Sequence, residues 1–130
     1  MYINNMKRIN ATEYYYFNKK YFDLLVQNKY AKIIFISYNM NIIGASLIFI
    51  YDIYIHYHLS CNDGSWNCIT DFMLVSIMKE LKPKLFILGG GLIHDDDLSK
   101  FKKKLSNREY TYNIYINILN NKIYNELLKN

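Results

Sequence analysis

Only two cysteines occur in the chain, Cys61 and Cys68, and they form no CxxC pair. There is thus no disulfide framework and no paired-thiol motif, and with no charged leader ahead of the fold a reduced, cytoplasmic setting is expected. Long hydrophobic runs are absent too. The longest apolar stretch, Ile42 to Tyr51, is too short to span a bilayer and alternates as a strand does, so no transmembrane segment is expected. No internal repeat or low-complexity linker interrupts the chain. Its 130 residues, 52% hydrophobic and 21% charged, fit a single folded domain, residues 1–130, with one core and no room for a second. No basic stripe interleaved with stacking aromatics stands out, because Lys100, Lys102, Lys103 and Lys104 at helical spacing are first of all a solvated face. The net charge of +5 suits an anionic partner such as a phosphate-bearing cofactor, tRNA or a cell-wall precursor. A chain rich in Ile, Asn, Lys and Tyr reaches that charge from composition alone.

What is present is a readable order of elements. From Thr12 to about Asn28 the apolar positions recur at helical intervals, with Asn18 able to cap, which gives one or two short helices. Lys32–Tyr38 and Ile42–Asp52 form a hairpin about Asn39-Met40-Asn41, and Ile53–Ser60 continues as a third strand, so the sheet begins as an antiparallel meander. A helix follows from about Trp66 to Leu81, burying Ile69, Phe72, Met73, Ile77 and Leu81 and ended by Pro83. Lys84–Leu88 reads as a further strand. A helix with Leu98, Phe101 and Leu105 inward comes next, its Asp-rich start explained by capping and the helix dipole. Tyr110–Ile118 alternates as a strand, and Asn121–Leu128 closes the chain as a helix burying Ile123, Tyr124, Leu127 and Leu128. The fold class expected is mixed α+β, with a mostly antiparallel sheet flanked by helices.

The most informative junction is Leu88 into Gly89-Gly90-Gly91. Three glycines at the carboxyl end of a buried strand let a ligand or another backbone approach closely, though a wide turn needing positive φ has the same composition. Upstream, His56 and His58 share one face of their strand and Tyr57 and Leu59 the other. His58 is a candidate for proton transfer, since its ordinary pKa is near neutral, and a structural hydrogen-bonded histidine is the competing reading. His94 with Asp95, Asp96 and Asp97 is not read as a metal site, because consecutive residues seldom converge on one ion; no metal is expected. Cys61 and Cys68 are read as small packing residues.

Met6-Lys7-Arg8 with Ala11 and Tyr14, then His56-Tyr57-His58-Leu59-Ser60, Leu88-Gly89-Gly90-Gly91, and Asp97-Leu98 with Phe101-Lys102 and Leu105-Ser106 together resemble the carboxyl-terminal half of Fem-type peptidoglycan bridge-forming aminoacyltransferases. That half has the GNAT N-acyltransferase fold, in which two central strands splay apart around a thioester donor. The resemblance covers nearly the whole chain. Complete Fem-type proteins pair two such halves and this chain holds one, which leaves open a homodimer, a second half, or a non-catalytic binding or assembly module.

The resemblance implies acyl or aminoacyl transfer to a primary amine by direct attack, with the tetrahedral oxyanion held by a strand backbone N–H at Leu59 or Ser60. It implies that Gly89, Gly90 and Gly91 line the opening for the acceptor, and that His58, Ser60 and Lys102 serve the reaction, Lys102 as a cation near the acceptor or oxyanion. GNAT enzymes that use acetyl-CoA hold its pyrophosphate on an Arg-x-x-Gly-x-Gly loop. The corresponding segment here, Asn62-Asp63-Gly64-Ser65, has one glycine, no arginine and an acid. Acetyl-CoA or another acyl-CoA is therefore one expected donor and aminoacyl-tRNA the other, with a plain capped loop as the bland reading.

Overall fold

The computed structural model describes residues 1–90, 96–111 and 113–128. The chain opens with a helix that the sequence pattern does not announce, α1 (Tyr2–Arg8), which buries Asn5 and Met6 and has no side-chain cap. Seven residues with two inward positions are too few to display a helical period. A single 3-10 turn, Glu13–Tyr15, precedes α2 (Lys19–Val26). Asn18 caps α2 as expected, its side chain accepting from the Tyr21 N–H at 3.1 Å.

Strands β1 (Ala31–Tyr38) and β2 (Asn41–Ile50) form the expected hairpin. Its turn is made by Asn39 and Met40, both in the left-handed region with φ of 47° and 62°, the backbone that matches the twist of paired strands. Antiparallel to β2 lies β3 (Tyr54–Asn62), and after α3 (Ile69–Leu81) the short β4 (Leu85–Ile87) joins β3 in parallel. The sheet order is β1-β2-β3-β4. It is followed by α4 (Asp97–Leu105), capped by Asp96 through Ser99 N–H at 2.6 Å, and α5 (Asn121–Leu127), capped by Asn120.

α3 packs on one face of the sheet. Ile48, Ile55, Met73 and Ile77 make the main cluster, and Tyr57, Leu74 and Leu88 a second one that receives Phe101 and Leu105 from α4. Across the sheet an aromatic layer forms from Tyr2, Phe17, Tyr21 and Phe22, with Phe17 stacked on Tyr21 at 4.1 Å between ring centres. Gly44 on β2 is a close-packing position: a Cβ there would stand 2.7 Å from Ile36 and 2.8 Å from Ile69.

Several expectations need correction. α3 starts at Ile69 rather than Trp66, whose side chain is exposed edge-on to Tyr38. Its inward residues are Ile69, Met73, Leu74 and Ile77, while Phe72 and Leu81 are exposed. The apolar pattern of α3 is wide enough to admit either face, and the position of the sheet chooses between them. Cys68 is exposed rather than packed. Tyr110–Ile118 forms no strand among its described residues. In α5, Ile123 and Leu127 are exposed, as are Tyr124 and the following Leu128. The sheet therefore has four strands, and the carboxyl-terminal apolar residues remain outside the core.

Candidate active site at the β3–β4 splay

Pairing of β3 with β4 covers only Tyr54↔Leu85, Ile55↔Phe86 and His56↔Ile87. β3 then runs on to Asn62 while the other chain turns away through Gly89, whose φ is +69°. The two strands part at that point. On its other edge β3 stays paired with β2, but the register slips between Leu47↔Leu59 and Ile48↔Tyr57, leaving His58 without an opposite residue. A bulge of this kind bends the strand and re-aims the side chains beside it.

Strand geometry decides which backbone donor faces the opening. Asp63 N–H donates to Ile43 O across the β2 ladder at 2.9 Å, whereas Asn62 N–H points away from β2 to Asn5 Oδ1 at 3.2 Å. N–H directions alternate along a strand. Ser60 N–H therefore lies on the same edge as that of Asn62, towards the splay, and Leu59 N–H on the β2 side. The Ser60 hydroxyl is 2.6 Å from the hydroxyl of buried Tyr57.

Four polar side chains line up along this region. Lys102 Nζ, brought by α4, donates to Gly90 O at 2.7 Å and lies over the Tyr57 ring at 5.8 Å. A Cβ placed on Gly89 would be 3.6 Å from that Nζ and 4.0 Å from His56 Nε2, while Gly90 faces open space. His56 and His58 are 6.2 Å apart between ring centres and share Phe49 as a neighbour. His58 Nε2 is hydrogen-bonded to the hydroxyl of Tyr21 on α2 at 2.7 Å. Burial pushes both histidines below their ordinary pKa, helped by Lys102 at His56 and by His56 at His58. Burial raises the Tyr21 hydroxyl and lowers the Lys102 ammonium. A neutral imidazole results, able to accept a proton. The Cys61 thiol is raised by burial, which keeps it from acting as a thiolate nucleophile.

Tyr21 was not singled out from sequence. It sits among fourteen tyrosines and is 37 residues from His58, so the helical stripe reads it only as a core aromatic. Gly91, His94 and Asp95 lie outside the described residues. Among the described residues no group of three His, Cys, Asp or Glu side chains is placed to hold a metal ion.

At the far end of β3 the Asn62–Ser65 loop folds on its own side chains. Gly64 N–H donates to Asn62 Oδ1 at 3.0 Å and Ser65 N–H to Asp63 Oδ1 at 2.9 Å. An arginine reaches this loop from α1. Arg8 Nη2 reaches Asn62 Oδ1 at 2.5 Å and Asn5 Oδ1 at 2.6 Å. Asn62 Nδ2 in turn bonds Thr70 on α3 at 3.1 Å. A recess of about 260 Å³ opens here, lined by Met1, Asn4, Asn5, Arg8, Asn62 and Asp63.

Solved structures with a similar fold include acetyltransferases. They include an aminoglycoside acetyltransferase from an uncultured soil metagenomic sample, crystallised with trehalose (9% identity, 92% of this chain and 86% of that one, TM-score 0.59). Another is a ribosomal-protein-alanine N-acetyltransferase from Brucella melitensis biovar Abortus 2308 (13% identity, 76% and 77%, TM-score 0.55). A second soil aminoglycoside acetyltransferase matches at 13% identity over 88% and 85%, TM-score 0.54. The chain has the GNAT fold. No family model matches the sequence, and no curated protein does.

Proposed function

We propose that this chain is an N-acyltransferase that moves an acyl group from a thioester to a primary amine at the β3–β4 splay. The observation that carries this reading is the ending of β3–β4 pairing at His56↔Ile87, with Ser60 N–H turned to the open side. The acyl carbonyl lies against Ser60 N–H, and its oxygen takes up the negative charge of the tetrahedral intermediate there. Lys102, held beside the opening by Gly90 O, adds positive charge on the same side. The amine enters past Gly89 and Gly90 and attacks directly. Its surplus proton passes to Tyr21 Oη as the tyrosine's own proton moves to His58 Nε2, so that the pair accepts one proton in total. The thiolate of the donor leaves and is protonated from solvent.

Acyl-CoA is the donor this reading favours, with Arg8 and the first turn of α3 facing its pyrophosphate and Asn62, Gly64 and Ser65 shaping the approach. The acceptor is a small-molecule amine. A second reading is favoured by the loop itself: the N–H groups of Gly64 and Ser65 are already engaged by Asn62 and Asp63, and Asp63 opposes an anion. In that case the donor is an aminoacyl-tRNA ester and the acceptor a cell-wall precursor, as the Fem-like residues imply.

The deciding experiment is transfer of radiolabelled acetyl from acetyl-CoA to a panel of primary amines, with CoA release followed by chromatography because exposed Cys68 would consume a thiol reagent. Acceptor-dependent CoA release supports the acyl-CoA reading. If neither transfer nor binding occurs at millimolar acetyl-CoA, that reading fails, and aminoacyl-tRNA transfer becomes the assay.

A further inference from the structure

Charge at the mouth of the β3–β4 splay is one-sided. Lys102 is half-buried there, and its Nζ donates to Gly90 O at 2.7 Å. An ammonium has three donors, and that carbonyl takes one of them. Among the described residues no carboxylate forms an ion pair with Lys102. Asp96 favours its charged form from farther away, while Asp96 Oδ1 accepts from Ser99 N–H at 2.6 Å.

Gly89 separates this cation from an imidazole. The place a Gly89 Cβ would take is 3.6 Å from Lys102 Nζ and 4.0 Å from His56 Nε2, and Gly90 next to it faces open space. A bare glycine backbone leaves room for a small group within reach of both nitrogens.

The same sign of charge acts along β3. Burial and Lys102 hold His56 below its ordinary pKa, and burial and His56 do the same to His58, with no carboxylate among the described residues offsetting either. Nothing described here would hold a second ammonium, as a polyamine or an aminoglycoside brings. A half-buried ammonium without a carboxylate partner is instead stabilised by an arriving anion, and the net charge of +5 draws anions towards the chain.

We propose that the acceptor is an amine that also carries an anionic group, a carboxylate or a phosphate, which lies over Gly89 between Lys102 Nζ and His56 Nε2 while the amine meets the Tyr21–His58 pair. The amine's part in this rests on the acyl transfer proposed above, and the anion's part on the Lys102–Gly89–His56 geometry. Lys102 then selects the acceptor as well as lending charge to the oxyanion.

Matched acceptors test it. β-Alanine and phosphoethanolamine supply the two anions, propylamine an amine without one, and diaminopropane a second cation. With acetyl-CoA as donor, kcat/KM for the better anionic acceptor should exceed that for propylamine by at least ~10-fold, the worth of one charged hydrogen bond, and the diamine should be poorest. The preferred anion identifies itself by the larger ratio. Lys102→Met should abolish the ratio by raising KM for the anionic acceptor, beyond any loss of kcat that all acceptors share. Lys102→Arg should preserve it, and Lys102→Glu should turn the preference towards the diamine. A second readout needs no donor: each amine is added to the chain and the His56 imidazole resonances are followed against pH. An anion beside Nε2 should raise the His56 pKa, propylamine should not, and Lys102→Met should lose the rise. Similar rates with all four amines, a wild-type preference for the diamine, or a ratio that survives Lys102→Met overturns the inference and leaves the reaction standing. Absent transfer with a Lys102-dependent rise in the His56 pKa overturns the reaction and leaves the anion site standing. Absence of both overturns both.

Discussion

The Tyr21–His58 contact carries most of the testable chemistry. Tyr21→Phe removes the hydroxyl from a 2.7 Å hydrogen bond and leaves the stacked ring in place. It should lower kcat by about 10²-fold or more with little change in KM, whereas His58→Ala should cost at least as much, and the double variant should cost little beyond the worse single one. Steady-state kinetics of the three variants check this; additive losses would refute a shared proton path. The pH dependence has a definite sign. Burial holds His56 and His58 below the ordinary 6.5, so the unfolded chain takes protons that the folded one refuses. Their contribution to stability is complete above about pH 6.5 and is lost as pH falls through the folded-state values. Tm measured downward from pH 7.5 should fall, and His56→Asn with His58→Asn should flatten that fall. The base form of His58 should likewise persist below the usual histidine range, moving the acid limb of kcat to lower pH. His58 was legible as a candidate from its type and strand position. Its partner was not, since a hydrogen bond across 37 residues leaves no trace in local spacing.

Among the elements, the hairpin and the meander followed from local pattern because alternation and turn chemistry act within a few residues. The helix caps at Asn18 and Asp96 were equally local. β4, Leu85–Ile87, lies within the strand expected at Lys84–Leu88. The fate of Tyr110–Ile118 was not legible, since an alternating segment becomes a strand only when an edge is available to pair with it. At Gly44 two elements meet, α3 and the β1–β2 pair, at a distance no Cβ tolerates. Gly44→Ala should destabilise by about 1–3 kcal/mol through overpacking, read as a lowered Tm and denaturant midpoint. Asn62 joins α1, the loop and α3 through Arg8, Gly64 and Thr70. Asn62→Ala should therefore loosen α1 and weaken donor binding together, by about 1–3 kcal/mol in stability. Hydrogen exchange would locate the change in residues 1–10. Arg8→Ala should weaken acyl-CoA binding with stability less affected, and titration calorimetry of the two variants separates the roles.

At the level of the whole molecule, a ligand bound only by the folded chain raises Tm by mass action. Acetyl-CoA should do so saturably, by an increment that Arg8→Ala diminishes; no shift at millimolar ligand would remove acyl-CoA as the donor. The order of elements from α2 to α4, the capped starts of α2 and α4 and the glycine junction after Leu88 were determined by the sequence, because each rests on residues close together in the chain. Tertiary structure alone decided where β3 and β4 part, which backbone N–H faces the opening, that Arg8 reaches Asn62 of the Asn62–Ser65 loop, and that Tyr21 meets His58. Each of these depends on groups brought together from distant positions, and it is packing of α1, α2 and α4 on the sheet that brings them there.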